Sequence, residues 1–156
     1  MKHYLVIVLG FLFCSGFSQQ IPVLKFHQVE QKWKSNSDTV YLVNFWATWC
    51  KPCVEELPAF LQLEQELKNK PFKLILVSLD FPQHIKTRVI PFIEKHHIKS
   101  EVVVLDDDAN QWINLINQDW DGSIPVTLVV KKKNQSFYNQ LFEYDELIKI
   151  VKSKLE

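Results

Sequence analysis

The sequence predicts an α/β sandwich, a central mixed sheet flanked by helices on both faces. Three observations carry that expectation. Two runs rich in β-branched, aromatic and apolar residues, "VYLVNFW" (40–46) and "FKLILVSLD" (72–80), have the composition of strands buried on both faces. Between them the apolar spacing turns helical, and the order strand, helix, strand predicts a right-handed parallel crossover. Two later extended runs, 124–130 and 136–142, joined by the polar "KKKNQ", predict an antiparallel hairpin that makes the sheet mixed.

The other elements follow in chain order. Residues 23–33 mix strand and helix signals and stay ambiguous. A helix begins at Cys50, with Leu57, Phe60, Leu61 and Leu67 on one side and Glu64, Gln65 and Lys68 on the other. Pro58 should kink it, because proline removes a backbone donor and crowds the preceding turn. A second helix is expected over 83–97, a strand over "EVVVL" (101–105), and a third helix over 108–118. Asp106, Asp107 and Asp108 stand where capping and dipole complementation favour acids. From Tyr144 the chain closes as a helix with Leu147, Ile148, Val151 and Leu155 in one stripe and Lys149, Lys152 and Lys154 near its negative end.

The chain has 156 residues, 47% of them hydrophobic, which suits one compact domain with a single core. Its 18 basic and 18 acidic residues cancel, and the only basic run is Lys131, Lys132 and Lys133, so the positive field that nucleic-acid binding needs is missing. Residues 1–18 have a secretory layout: Lys2, an apolar run from Tyr4 to Phe13, then Gly16 and Ser18 at the spacing of a cleavage site. The expectation is an exported protein of the periplasm or cell envelope, cut after Ser18, with a domain over 19–156. An uncleaved membrane anchor is the alternative, although the run is shorter than the ~18 apolar residues a spanning helix needs. Cys14 follows a bulky Phe13, unlike a lipid-attachment site.

Cleavage would leave Cys50 and Cys53 as the only thiols, out of three in the chain. Two cysteines cannot make a four-thiolate zinc site within one chain, nor a stapled framework. At a helix start the first sulfur meets unpaired backbone N–H groups and the positive end of the helix dipole, both of which favour thiolate. Cys50 is therefore the expected nucleophile. Cys53, one turn further in, is the expected resolving thiol. Pro52 suits the first helical turn, and the cation of Lys51 is expected to stabilise the Cys50 thiolate.

The segment "FWATWCKPC" resembles the active-site segment of the thioredoxin superfamily, and "WATWCKPCVEELP" is most similar to exported thiol-disulfide oxidoreductases of the TlpA/ResA type. The resemblance covers the chain after the leader. It implies a thioredoxin-like three-layer sandwich in which 100–118 is an inserted strand-helix segment. It implies a protein-disulfide reductase whose chemistry rests on the two sulfurs, with no cofactor and no metal, and whose partners are protein disulfides and a membrane electron donor. Pro125, in "SIPVT", matches a proline that the family keeps in cis after Ile124, which lets the Ile124 backbone meet an extended substrate. Glu56 matches an acidic residue three positions after the second cysteine. Partly buried, it would have a raised pKa and could exchange protons with Cys53. Asn44 occupies the position of a buried acid in thioredoxin, and an amide cannot titrate. Trp49 is expected as an exposed partner contact, Trp46 and Trp112 as core, and Trp120 at the rim of the site.

Alternatives use the same residues differently. A disulfide-forming oxidase or isomerase would run the same couple at a higher potential. A binding module would use the bridge only to stiffen a turn, with Trp49 and Pro125 recognising a partner. Zinc held between two chains, two cysteines from each, is a third. The lone activated cysteine of a peroxidase, with its own proline and threonine arrangement, is not found around Cys50. The adjacent His96 and His97 point apart on a helix and make a poor metal pair.

Overall fold

The computed structural model describes residues 20–156. The leader, Cys14 and the expected cut after Ser18 lie outside the described residues. Strands β1 (Val23–Leu24), β2 (Val40–Trp46), β3 (Phe72–Ser78), β4 (Glu101–Leu105), β5 (Val126–Lys131) and β6 (Asn134–Tyr138) form one sheet in the order β1-β4-β3-β2-β5-β6. β1, β4, β3 and β2 run parallel, whereas β5 is antiparallel to β2 and β6 to β5. The sheet is mixed, as the sequence predicts.

Helices cover both faces, which is why β2 carries apolar residues without alternation. Along β2 the odd and even side chains fall into different cores. Leu42 and Trp46 pack with Leu57, Phe60 and Leu63 of α2 (Lys51–Glu66) and with Leu147 and Val151 of α5 (Tyr144–Leu155). Val43 and Phe45 pack on the opposite face with α1 (Phe26–Glu30) and α4 (Ala109–Ile116). That second face is aromatic: Trp112 stacks on both Phe26 and Phe45, at centroid distances of 5.6 and 5.9 Å. The ambiguous segment 23–33 resolves into β1 and α1. The Asp107 carboxylate accepts from the Phe26 N–H at 2.9 Å, and Asp108 caps α4 through the Asn110 N–H at 3.1 Å.

Several expectations need correction. The helix expected over 83–97 is broken into a 3-10 turn (Pro82–His84), a π-helical stretch (Ile85–Val89) and α3 (Ile90–Lys95). Pro91 has no N–H to give the preceding turn, and the chain widens before it, with Ile90 N–H bonded to Ile85 O. The hairpin is tighter than expected. Lys131 pairs with Asn134, leaving Lys132 and Lys133 as the turn, with Lys132 at φ 56°. Strand β6 therefore starts and ends earlier, and Phe142 falls beyond it. Pro58, where the sequence expects a kink, stands inside α2, and the helix continues past it to Glu66.

Candidate active site

Strand β2 ends at Trp46 and delivers the chain to a turn, closed by the Cys50 N–H bonding Ala47 O at 3.1 Å, that opens α2. Cys50 is the N-cap of that helix, and its sulfur accepts from the Cys53 N–H at 3.3 Å. Pro52 stands in the first turn, where its missing donor costs nothing. Cys50 and Cys53 are joined as a disulfide. Cys50 keeps 5% of its surface accessible and Cys53 none, so an incoming sulfur reaches Cys50 first.

Facing the bridge is the loop before β5. The Ile124–Pro125 bond is cis, and the Ile124 carbonyl oxygen lies 3.7 Å from the Cys50 sulfur. Trp120 does not line the rim: it is 3% exposed, packed against Phe45, Trp112 and Phe137. Its indole N–H donates to Ser123 O at 2.7 Å, which ties down the residue before Ile124. An indole takes this place because it offers a large apolar face to the core and a donor at its edge.

One turn after Cys53, Glu56 is buried, at 3% exposure. Its two oxygens take different donors: Oε1 accepts from the Asn44 amide at 2.8 Å, and Oε2 from the Phe142 N–H at 3.1 Å. Asn44 Nδ2 also donates to Thr127 Oγ1 at 3.2 Å, across the β2–β5 pair that sets Asn44 opposite Thr127. Burial pushes the Glu56 carboxyl up to about 7, against the opposing pull of the Phe142 and Asn44 hydrogen bonds. No cation pairs with it among the described residues' ion pairs.

Lys51 points outward, with its ammonium 3.6 Å from the solvent-exposed carboxylate of Glu55 one turn on. Trp49 is 57% exposed beside Cys50, while Trp46 is fully buried. Sequence reasoning missed Asp80, whose buried carboxylate accepts from the Thr48 N–H at 2.8 Å, the Thr48 hydroxyl at 2.6 Å and the Ser78 hydroxyl at 2.9 Å. It also missed Thr127 and Phe142 as neighbours of the Glu56 arrangement. Among the described residues, no group of three or more His, Cys, Asp or Glu side chains is placed to hold a metal ion.

A family model described as the AhpC/TSA family matches residues 16–135. The chain belongs to that family. Among curated relatives it is 49% identical over 94 residues to the thiol-disulfide oxidoreductase ResA of Oceanobacillus iheyensis, covering 60% of this chain and 45% of that protein. It is 31% identical over 94 residues to the thioredoxin-like protein YneN of Bacillus subtilis, covering 59% of this chain and 50% of that protein. The chain thus spans about half the length of these relatives. Among solved structures, a thiol:disulfide interchange protein of the thioredoxin family from Chlorobium tepidum superposes with a TM-score of 0.64 at 22% identity, covering 81% of this chain and 85% of that one. The fold of this AhpC/TSA member is thioredoxin-like.

Proposed function

We propose that this AhpC/TSA member is an exported dithiol-disulfide oxidoreductase that reduces disulfides in protein substrates. The observation that carries the reading is the Cys50–Cys53 bridge at the mouth of α2, with Ile124 O facing the outer sulfur and a buried glutamate one turn beyond the inner one.

In the reduced protein the Cys50 thiolate attacks one sulfur of a substrate disulfide. A mixed disulfide forms and the other substrate sulfur leaves as a thiolate. Cys53 then attacks the Cys50 sulfur, giving up its proton to the Glu56 carboxylate. The second substrate thiolate leaves, two electrons have passed to the substrate, and the internal bridge is restored. Glu56 suits both directions of proton transfer, because a group titrating at about 7 holds both forms near neutral pH. Trp49 and the backbone of Ile124, beside Pro125, flank the polypeptide that carries the substrate sulfur. Pro52 fixes the first turn of α2, and Lys51 borders the site at its outer edge.

Export rests on the layout of residues 1–18, and no helix among the described residues is long and apolar enough to cross a membrane. In an oxidising compartment a reductase must be recharged, so the reading includes a membrane-borne dithiol donor that returns two electrons to the bridge.

The test is reduction of insulin by dithiothreitol: wild type should accelerate it and Cys50→Ser should not. Cys53→Ala should accumulate mixed disulfides with envelope proteins. A potential near about −270 mV fits a reductase, whereas one near about −120 mV would assign the same residues to disulfide formation.

A further inference from the structure

Asp80 is a carboxylate with 1% of its surface exposed and a place in none of the ion pairs among the described residues. Its oxygens only accept: two bonds come from Thr48 and one from the Ser78 hydroxyl, which in turn accepts the Asp80 N–H at 3.0 Å. That pattern suits a carboxylate that keeps its charge without a cation. A neutral side chain would have been the cheaper choice for a purely structural tie, since buried charge is costly.

Its partner Thr48 belongs to the Ala47–Cys50 turn. Leu79 N–H bonds Trp46 O at 2.8 Å, so the strand ends carrying Asp80 and the turn are also joined through the backbone. Thr48 stands two residues before Cys50, and at ~3.8 Å per residue this leaves the carboxylate roughly 10–15 Å or less from the sulfur. We propose that Asp80 sets the redox poise of the couple: it holds the turn that presents Cys50 and maintains a buried negative charge beside it, which disfavours the thiolate and makes the couple more reducing. The inference rests on the dithiol-disulfide reading and supplies its direction.

The sign follows from which state carries the charge. Reduction takes the disulfide, two electrons and protons to two thiols, of which Cys50 ionises to thiolate. A neighbouring negative charge raises the energy of that thiolate and leaves the uncharged disulfide almost untouched, so the oxidised form gains. Other charges around the couple do not replace Asp80. Lys51 and Glu55 form an exposed pair on α2, Asp121 lies on the exposed part of the loop before Ile124, and Glu56 on the next turn of α2 is half protonated near neutrality. A unit charge about 10 Å away at a partly buried site changes a thiol's ionisation constant by about tenfold.

Two variants separate charge from scaffolding. Asp80→Asn keeps the shape and removes the charge. Thr48→Val keeps the charge and removes one donor to it. For each, Cys50 ionisation is followed by thiolate absorbance, and the potential by equilibration with glutathione. Asp80→Asn should ease ionisation by about tenfold and shift the equilibrium toward the dithiol by up to tenfold, or ~30 mV upward. Thr48→Val should leave both within twofold or move them the other way. A shift of both variants in the same direction would mean that the turn has merely loosened, and would overturn the proposal, as would an unchanged Asp80→Asn. Should Asp80→Asn fail to fold, a raised potential in Thr48→Val is the overturning result. Both measurements read the chain's own couple, so they stand whether or not wild type reduces insulin.

Discussion

Asn44 of β2 donates its amide hydrogen across 2.8 Å to Glu56 of α2, joining the central strand to the helix that opens with the two cysteines. Among the described residues no cation pairs with this glutamate, so its charge is supported there by hydrogen bonds. Burial outweighs that support, and the carboxyl holds its proton to about 7. On the proposed mechanism, stability and turnover are both tied to this one group.

Unfolded glutamate loses its proton near ~4.3, whereas Glu56 in the folded chain keeps it to about 7. Between those values the folded state binds the extra proton. Stability from this group is therefore full below ~4.3 and falls as pH rises towards 7. The span corresponds to about 4 kcal/mol. Glu56→Gln, which never charges, should flatten that slope in urea titrations and be the more stable protein at pH 8. It should also slow resolution of a mixed disulfide roughly a hundredfold and remove the rise in that rate through neutral pH. Stopped-flow thiol release would measure it, and an unaltered pH-rate profile in the Glu56→Gln variant would take this carboxyl out of the mechanism.

Trp49 is 57% exposed, whereas Phe45 and Trp46 at the end of β2 are fully buried, so its role separates from the fold. Trp49→Ala should change stability by less than about 0.5 kcal/mol. It should raise KM for a protein disulfide by about tenfold, in line with an aromatic anchor at a contact surface, and leave reduction of a small disulfide nearly unchanged. Equal losses on both substrates would assign Trp49 to the couple rather than to binding.

Trp120 supports the facing loop through one hydrogen bond, from its indole to Ser123 O. Trp120→Phe keeps most of the packing against Phe45 and Trp112 but leaves that carbonyl unpaired, which should cost about 1 kcal/mol or somewhat more. Faster amide exchange should be confined to the segment leading into Ile124. Uniformly faster exchange would show instead that the ring matters through the whole aromatic core.

How much of this was legible in the sequence depended on how local its cause is. β2 and β3 could be read because a strand covered on both faces has no polar side to confuse the pattern, and Cys50 because an N-cap and its helix are neighbours in the chain. The break before α3 is written in Pro91, but the apolar spacing of Val89, Ile90, Phe92 and Ile93 hid it. The hairpin turn was obscured because Lys132 takes a left-handed conformation that usually announces itself as glycine or asparagine. Trp120 reads as a rim residue by proximity to Pro125, and only packing reveals it as core. The surroundings of Glu56 were out of reach: Asn44 is 12 positions away and Phe142 is 86, and no periodicity links them. Asp80 was hidden likewise, since Thr48 is 32 positions distant.

Replacing Asn44 by aspartate tests the buried contact most directly. The change is nearly isosteric, but it removes the Asn44 amide donor to Glu56 Oε1 and sets a second carboxylate about where the amide stood, 2.8 Å from the first. Two such groups cannot both ionise without cations, so they should share a proton and titrate as a pair, with the second ionisation pushed above that of Glu56 alone. Because the folded-state pKa values rise, the variant's stability should fall with rising pH, and more steeply than wild type's. The expected deficit is on the order of 3 kcal/mol at pH 8, shrinking markedly at pH 5, where one shared proton bridges the pair. The neutral limb of the resolution rate should move upward by at least one pH unit, since the base stays protonated longer. Thr127, the other acceptor of the Asn44 amide, supplies a control: Thr127→Val removes that acceptor without adding charge, and should leave the pH dependence of both stability and rate in place. If Asn44→Asp shows the same stability deficit at pH 5 and pH 8, the substitution has damaged packing rather than created a coupled pair, and the electrostatic account of Glu56 fails with it.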